Sequence, residues 1–373
     1  MTNSFTFPGV YVQETSAPGP IAGVPTSTVL FIGETESSFV AAGENGSYAK
    51  PQAVTSWTEY VTAFASLPSA PSKDLSKAMR GFFLNGGSRA WILKTKDSSA
   101  DTIEQALTAS EAIPDEISIV CAPGLVDLQT QNNLLAHCEK LRTRFAILDE
   151  PAPTDPAPAS GTTSRTVSSF GATYTPRLLV GSDVVRASGY VAGIYANTDS
   201  TRGVKKAPAN VGVLGAIGVE TDMSDSDQGL LNQKNINVIR NLVGTGVTVW
   251  GARTLDTSAG TQFTYVNVRR LMIYIEQSLK RGLSWVVFEP NDTSLWKRVE
   301  RVVTVFLTDI WRDGGLFGAT ADEAFIVNVN SENNPPETVA SGELVIDIGV
   351  SPVRPAEFVL VRITVSDQSW AVS

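Results

Sequence analysis

The chain has 373 residues, 42% of them apolar and 18% charged, a globular mixture long enough for two or three domains and unlike a disordered, collagen-like or heptad-built chain. Lys and Arg number 29 against 38 Asp and Glu, a formal net charge of −9. That sign argues against a nucleic-acid partner or an anionic membrane, both of which reward a basic face. No stretch approaches the ~18 continuous apolar residues of a membrane span, and the start, MTNSFTFPGVYVQE, has neither a basic nor an apolar leader region, so no direct membrane insertion is expected.

Residues 1–27 are rich in Pro, Gly, Ser and Thr and carry one strand-like run, Val10 to Glu14, fenced by Pro8 and Pro18. They are expected to form an extended arm. A first compact part, 28–95, opens on the apolar run STVLFIGE (27–34), continues through a helix at Trp57 to Ala65, and turns at Asn85-Gly86-Gly87 before a buried strand in RAWILKT.

Residues 96–150 alternate helix (101–109), strand (117–121), helix (129–141) and strand (144–149), which predicts α/β packing on a parallel sheet. The second helix holds His137, the one histidine of the chain, beside the apolar stripe Leu134, Leu135, Cys138 and Leu141. It is expected to be a solvated or half-buried helix residue. With one histidine, two cysteines (Cys121 and Cys138, read as core residues) and no G-x-S-x-G, the sequence offers no metal-ligand set, and no local signature of a serine hydrolase.

The segment 151–169, built from Pro, Ala, Ser and Thr, reads as an exposed loop. PRLLVG and GYVAGIYA follow as strand-like runs, and INVIRNLVGTGVTVWGARTL reads as two strands punctuated by Gly244-Thr245-Gly246. Gly212, Gly215 and Gly218 lack phosphate-loop spacing, and Asp222, Asp225 and Asp227 break the calcium-loop register. They are read as turn glycines and as a solvated loop or helix N-cap.

Near the C-terminus, 266–282 has helical apolar spacing and ends on basic residues and Gly282. Trp285 to Glu289 is expected as a short buried strand. A long amphipathic helix then places Leu295, Val299, Val302, Val303, Phe306 and Ile310 on one face and closes at Gly314-Gly315. Three strand-like runs finish the pattern, at 323–330, 342–353 and 356–365, before a tail, 366–373, that carries Trp370.

Taken in order, FPGVYVQE, STVLFIGE, GFFLNGGSRAWIL, VAGIYANTDSTRGVKKAPAN, GVTVWGARTL, YVNVRRLMIYIEQSL, WVVFEPND with LW three residues on, and VSPVRPAEFVLVRI together resemble contractile tail sheath proteins of phages, R-type bacteriocins and extracellular injection systems. The absence of a large extra domain is more similar to the bacteriocin and injection-system branch. The resemblance implies a mixed α/β sheath fold. Its inner domain would be built from 28–95 and 246–365, its inserted outer α/β domain from 96–245, and its terminal arms from 1–27 and 366–373.

By the same resemblance, the arms leave their own subunit and add strands to sheets of neighbours, which assigns Val10, Tyr11, Val12, Ile363, Val365 and Trp370 to inter-subunit contacts. The implied function is a non-enzymatic subunit, without catalytic residue, cofactor or metal, that polymerises as stacked hexameric rings and contracts to drive an inner tube through a target envelope. Its implied partners are further copies of itself, the tube protein, baseplate and cap proteins, and sister sheath proteins. Assembly is expected in a bacterial cytoplasm, in a phage tail or a released particle. The charged face Lys297, Arg298, Glu300 and Arg301 is expected to meet the tube, because charge contacts suit an attachment that must release. An α/β hydrolase with a subtilisin-like middle domain, and a static tube or capsid protein, are the alternatives.

Overall fold

The computed structural model describes residues 19–42, 46–65, 71–113, 116–152 and 164–360. Within them the chain forms two compact units, residues 25–274 with 352–360 and residues 19–24 with 275–351. The larger unit runs β1 (Val29–Gly33), β2 (Gln52–Val54), α1 (Trp57–Phe64), α2 (Asp74–Leu84), β3 (Ala90–Lys94), α3 (Ala100–Ala109), β4 (Ile119–Cys121), α4 (Leu128–Leu141) and β5 (Phe145–Asp149). It continues with β6 (Gly171–Thr175), β7 (Leu178–Val180), β8 (Asp183–Val185), α5 (Ser188–Arg202), β9 (Val211–Gly212), β10 (Gly218–Val219), α6 (Asp225–Gln233), β11 (Ile236–Leu242) and β12 (Gly246–Val249). From there α7 (Val266–Gly282) carries the chain into the smaller unit, which holds α8 (Thr293–Arg312), α9 (Ala321–Ala324), β13 (Phe325–Asn328), α10 (Pro336–Ala340) and β14 (Asp347–Val350).

Among the described residues the larger unit is organised by a nine-stranded sheet in the order β2-β3-β1-β4-β5-β6-β11-β12-β9. The strands from β3 through β11 pair in parallel, and β2, β12 and β9 finish the two edges antiparallel. Every residue of β1 and β5 is buried, which explains why both read as continuous apolar runs: a parallel sheet is covered on both faces. The expected parallel pairing of the 117–121 and 144–149 strands is observed as β4 against β5, with Ile119 opposite Phe145 and Cys121 opposite Ile147. Both cysteines are free and buried.

GYVAGIYA is a helix, not a strand, and lies inside α5. Its side chains from Ser188 to Ala196 are all buried, so no polar face betrays the helical period, and an all-round apolar helix reads like a buried strand. Glycine sets its closest approach to α2: a Cβ on Gly189 would stand 2.4 Å from that of Ala78, and one on Gly193 only 2.5 Å from the Phe82 carbonyl oxygen. The acidic run after Met223 forms an N-cap. The Ser224 Oγ accepts from the Asp227 N–H while the Asp227 carboxylate accepts from the Ser224 N–H, a capping box that starts α6. INVIRNL and GVTV pair as the hairpin β11–β12, with Gly244 and Gly246 at φ of 85° and 75° in the turn.

In the smaller unit, α8 starts at Asp292, whose carboxylate accepts from the Leu295 N–H at 2.8 Å. Its buried face is Leu295, Trp296, Val299, Val302, Val303, Phe306, Leu307 and Ile310, the stripe read from the sequence with two additions, and this helix packs on β13. Trp285 to Glu289 departs from expectation. Ser284–Val286 is a single 3-10 turn, and Val287 and Phe288 are 64% and 102% exposed, with Phe288 in the left-handed region at φ 68°. The ten-residue connection between α7 and α8 pairs with no strand among the described residues, so the apolar run is displayed instead of buried. The run at 323–330 contributes β13, that at 342–353 contributes β14, and the described part of 356–365 pairs with no strand.

Candidate assembly surfaces

The sole histidine is buried, not solvated or half-buried, and it does lie beside a serine. His137 Nε2 is 3.5 Å from Ser110 Oγ, and its Nδ1 is 3.9 Å from a Glu111 carboxylate oxygen. Yet Arg144 stands between the pair, donating from Nη1 to His137 Nε2 at 2.9 Å and to Ser110 Oγ at 2.6 Å. The serine hydroxyl in turn donates to the Leu107 carbonyl at 2.6 Å. The imidazole lone pair is therefore occupied by a permanent cation and the hydroxyl proton points away from it, so the cluster cannot work as base and nucleophile. Burial and then the Arg144 charge push the His137 pKa down to about 4. This cluster ties α3 to α4, and the hydrolase reading gains no support from it.

On α8, the residues expected at the tube divide. Lys297, Glu300 and Arg301 are exposed. Arg298 is half-buried, pairs with Glu289 at 3.0 Å and lies 5.2 Å from the centre of the Trp285 ring, so it is part of the helix entry and not of the free face. The exposed stripe runs on through Val305 and ends at Arg312, two positions that sequence reasoning did not single out. Helical spacing from Lys297 through Arg301 and Val305 was the signal available for finding them.

The β13–β14 ladder pairs Phe325 with Val350, Ile326 with Gly349, Val327 with Ile348 and Asn328 with Asp347. Among the described residues no third strand joins it, so both outer edges carry backbone groups without a ladder partner. Phe325 is buried on the side of α8, whereas Ile326 on the opposite face is 55% exposed. The arm residues Val10, Tyr11, Val12, Ile363, Val365 and Trp370 lie outside the described residues. The segment that leads to the last three leaves Glu357 with Phe358, Val359 and Leu360 at 78%, 81% and 76% exposure. No helix among the described residues is long and apolar enough to cross a membrane.

A family model of the phage tail sheath protein central domain matches residues 98–255, and one of the phage tail sheath C-terminal domain matches residues 258–366. A prophage major tail sheath protein of Pseudomonas aeruginosa is 28% identical over 188 residues, 49% of this chain; that match spans 46% of the relative, less than half of its length. Solved structures agree over nearly the whole chain. The sheath complex of an extracellular contractile injection system, PVC, in its contracted state is 28% identical, with a TM-score of 0.80, covering 97% of this chain and 98% of that one. The helical sheath of the anti-feeding prophage in its contracted state is 29% identical, also with a TM-score of 0.80, covering 97% and 99%.

Proposed function

The chain belongs to the contractile tail sheath family, and from that premise we propose that it is a structural subunit which polymerises as stacked rings around an inner tube and shortens to drive that tube into a target envelope. The observation that carries this reading is the match, over 97% of the chain, to two sheaths solved in the contracted state. Likeness to sheaths of contractile injection systems supports a place in a phage tail or an extracellular contractile particle, and on this reading the particle is assembled in a bacterial cytoplasm.

The open edges of β13 and β14 are the acceptors this reading needs. The N-terminal run around Val10, Tyr11 and Val12, and the C-terminal segment with Ile363, Val365 and Trp370, add to them as strands from neighbouring copies. About five hydrogen bonds at roughly 1 kcal/mol each hold one arm by a few kcal/mol, weak singly and strong over a lattice. Lys297, Glu300 and Arg301 form the tube contact, with Arg298 holding the helix entry. A further ~100–200 Å² of apolar burial per subunit, at ~25 cal/mol per Å², releases roughly 2.5–5 kcal/mol on contraction without nucleotide. Baseplate, cap and sister sheath proteins complete the particle.

Negative-stain microscopy of the protein co-expressed with its tube protein tests the proposal: striated tubes, with wide hollow contracted forms, are expected. A variant lacking residues 1–15 should stay folded and form none. Normal sheaths from that truncation refute the arm mechanism, and dispersed particles from the full chain with its tube and baseplate proteins refute the sheath assignment.

A further inference from the structure

Both segments that lead out to the chain termini are gripped by the same short stretch of the larger unit. At the C-terminal end, Glu357 accepts from Arg253 Nε at 2.9 Å and Nη2 at 2.8 Å, from the Tyr265 hydroxyl at 2.8 Å and from Asn232 Nδ2 at 2.9 Å. The side chains of this ion pair are only 19% and 21% exposed. Arg253 is itself oriented by the Asn232 carbonyl at 3.1 Å and by Asn235 Oδ1 at 3.3 Å. Burial raises the Glu357 carboxyl pKa, but the bonds from Arg253, Asn232 and Tyr265 outweigh it and hold the group below its ordinary value. Four residues earlier, the Val353 carbonyl accepts from Asn267 Nδ2 at 3.1 Å, an amide that also donates to the Lys205 carbonyl at 2.8 Å.

At the N-terminal end, the Thr26 carbonyl accepts from Arg270 Nη2 at 2.7 Å. That guanidinium is clamped by both carboxylate oxygens of Asp199, at 2.9 and 2.6 Å, with the two side chains 4% and 2% exposed. Asn267 and Arg270 are three residues apart on α7, about 4.5 Å along its axis and on one face. A forked guanidinium–carboxylate contact fixes direction as well as position, which a single flexible bond does not. The grip on the C-terminal side stops at Glu357, because the next three side chains are exposed.

We infer that Arg253, Tyr265 and Asn267 form one anchoring block that sets where, and in which direction, the C-terminal segment leaves the subunit, and that Arg270, which holds Thr26 from the same face, lets a pull on that segment pass through the first turn of α7 to the stretch at Thr26. Its role in assembly rests on the sheath reading; the grip is a property of the isolated chain. The clamp residues lie in the larger unit, apart in sequence from α8 and from the β13–β14 strands. They are positioning residues for the C-terminal arm.

The test uses the full chain carrying nitroxide labels at Leu360→Cys and Glu104→Cys, both exposed positions of the larger unit, while the native Cys121 and Cys138 are fully buried and do not label. Electron–electron dipolar spectroscopy should give one narrow distance distribution. Glu357→Gln should at least double its width and reduce the yield of sheaths by at least tenfold on co-expression with the tube protein. If Glu357→Gln does not fold, Tyr265→Phe, which removes one hydroxyl and leaves the ion pair, should give the same two changes to a smaller extent. An unchanged width in a folded variant overturns the clamp, and a widened distribution with a normal sheath yield overturns its role in assembly. Unlabelled wild-type chain that builds no sheath refutes the sheath reading alone, since the distance distribution still judges the clamp.

Discussion

Replacing Arg270 by Met should cost the larger unit about 3–5 kcal/mol, the loss expected when one partner of a buried ion pair is removed and the other charge stays behind. The magnitude follows from the geometry. Arg270 meets both Asp199 oxygens at 2.9 and 2.6 Å, with the side chains 4% and 2% exposed, so water cannot take the place of the guanidinium. It also satisfies the Thr26 carbonyl and lies 5.0 Å from the centre of the Tyr195 ring. A unit-charge pair at about 4 Å and an effective dielectric near 20 gives about 4 kcal/mol, which agrees with the mutational range. At about 2 °C per kcal/mol for a domain of ~250 residues, the melting transition of that unit should fall by about 6–10 °C. Circular dichroism melts and urea titration of wild type, Arg270→Met, Arg270→Lys and Asp199→Asn measure it, with Arg270→Lys intermediate because it keeps the charge and loses the fork. A loss below about 1 kcal/mol for Arg270→Met would refute the claim that this pair is buried and mutually dependent.

Histidine gives a pH dependence of known sign. The folded chain titrates His137 at about 4 and the unfolded chain near 6.5, so the unfolded state binds more protons between those values. Stability should therefore fall as pH is lowered through that window, by up to about 3 kcal/mol, and His137→Gln should lose that part of the slope in urea titrations from pH 7 to 4. On α8, the double reversal Lys297→Glu with Arg301→Glu should leave the melting temperature within the ±0.5 kcal/mol range of exposed substitutions while abolishing sheaths around the tube by negative-stain microscopy. Sheaths of wild-type yield from that variant would remove the helix from the tube contact.

Local signals made much of the fold legible. The buried runs at β1 and β5, the stripe on α8 and the Gly244–Gly246 turn each announce their element because one period or one breaker dominates there. Where burial is uniform the period vanishes, and so GYVAGIYA reads as a strand although it packs as α5. The opposite failure occurs at Val287 and Phe288, where an apolar run suggests a core but the chain displays it. On the candidate surface, the exposure of Lys297 and Arg301 follows from helical spacing alone. The pairing of Arg298 with Glu289 and Trp285 depends on a turn whose shape no pattern encodes. Least legible is the contact between Arg253 and Glu357, which joins GVTVWGARTL and VSPVRPAEFVLVRI across 104 residues; each segment can be recognised by itself, but only folding brings the two charges together.

The edges of the nine-stranded sheet bear on fidelity. They end in β2, three residues long and directly preceded by Pro51, and in β9, two residues long. A five-residue strand arriving at either edge would find few backbone donors and acceptors, whereas β13 and β14 each offer four residues, with β13 backed by α8. On the proposed strand exchange the large sheet would thus be a poor decoy, with strand length discriminating before any side chain is read.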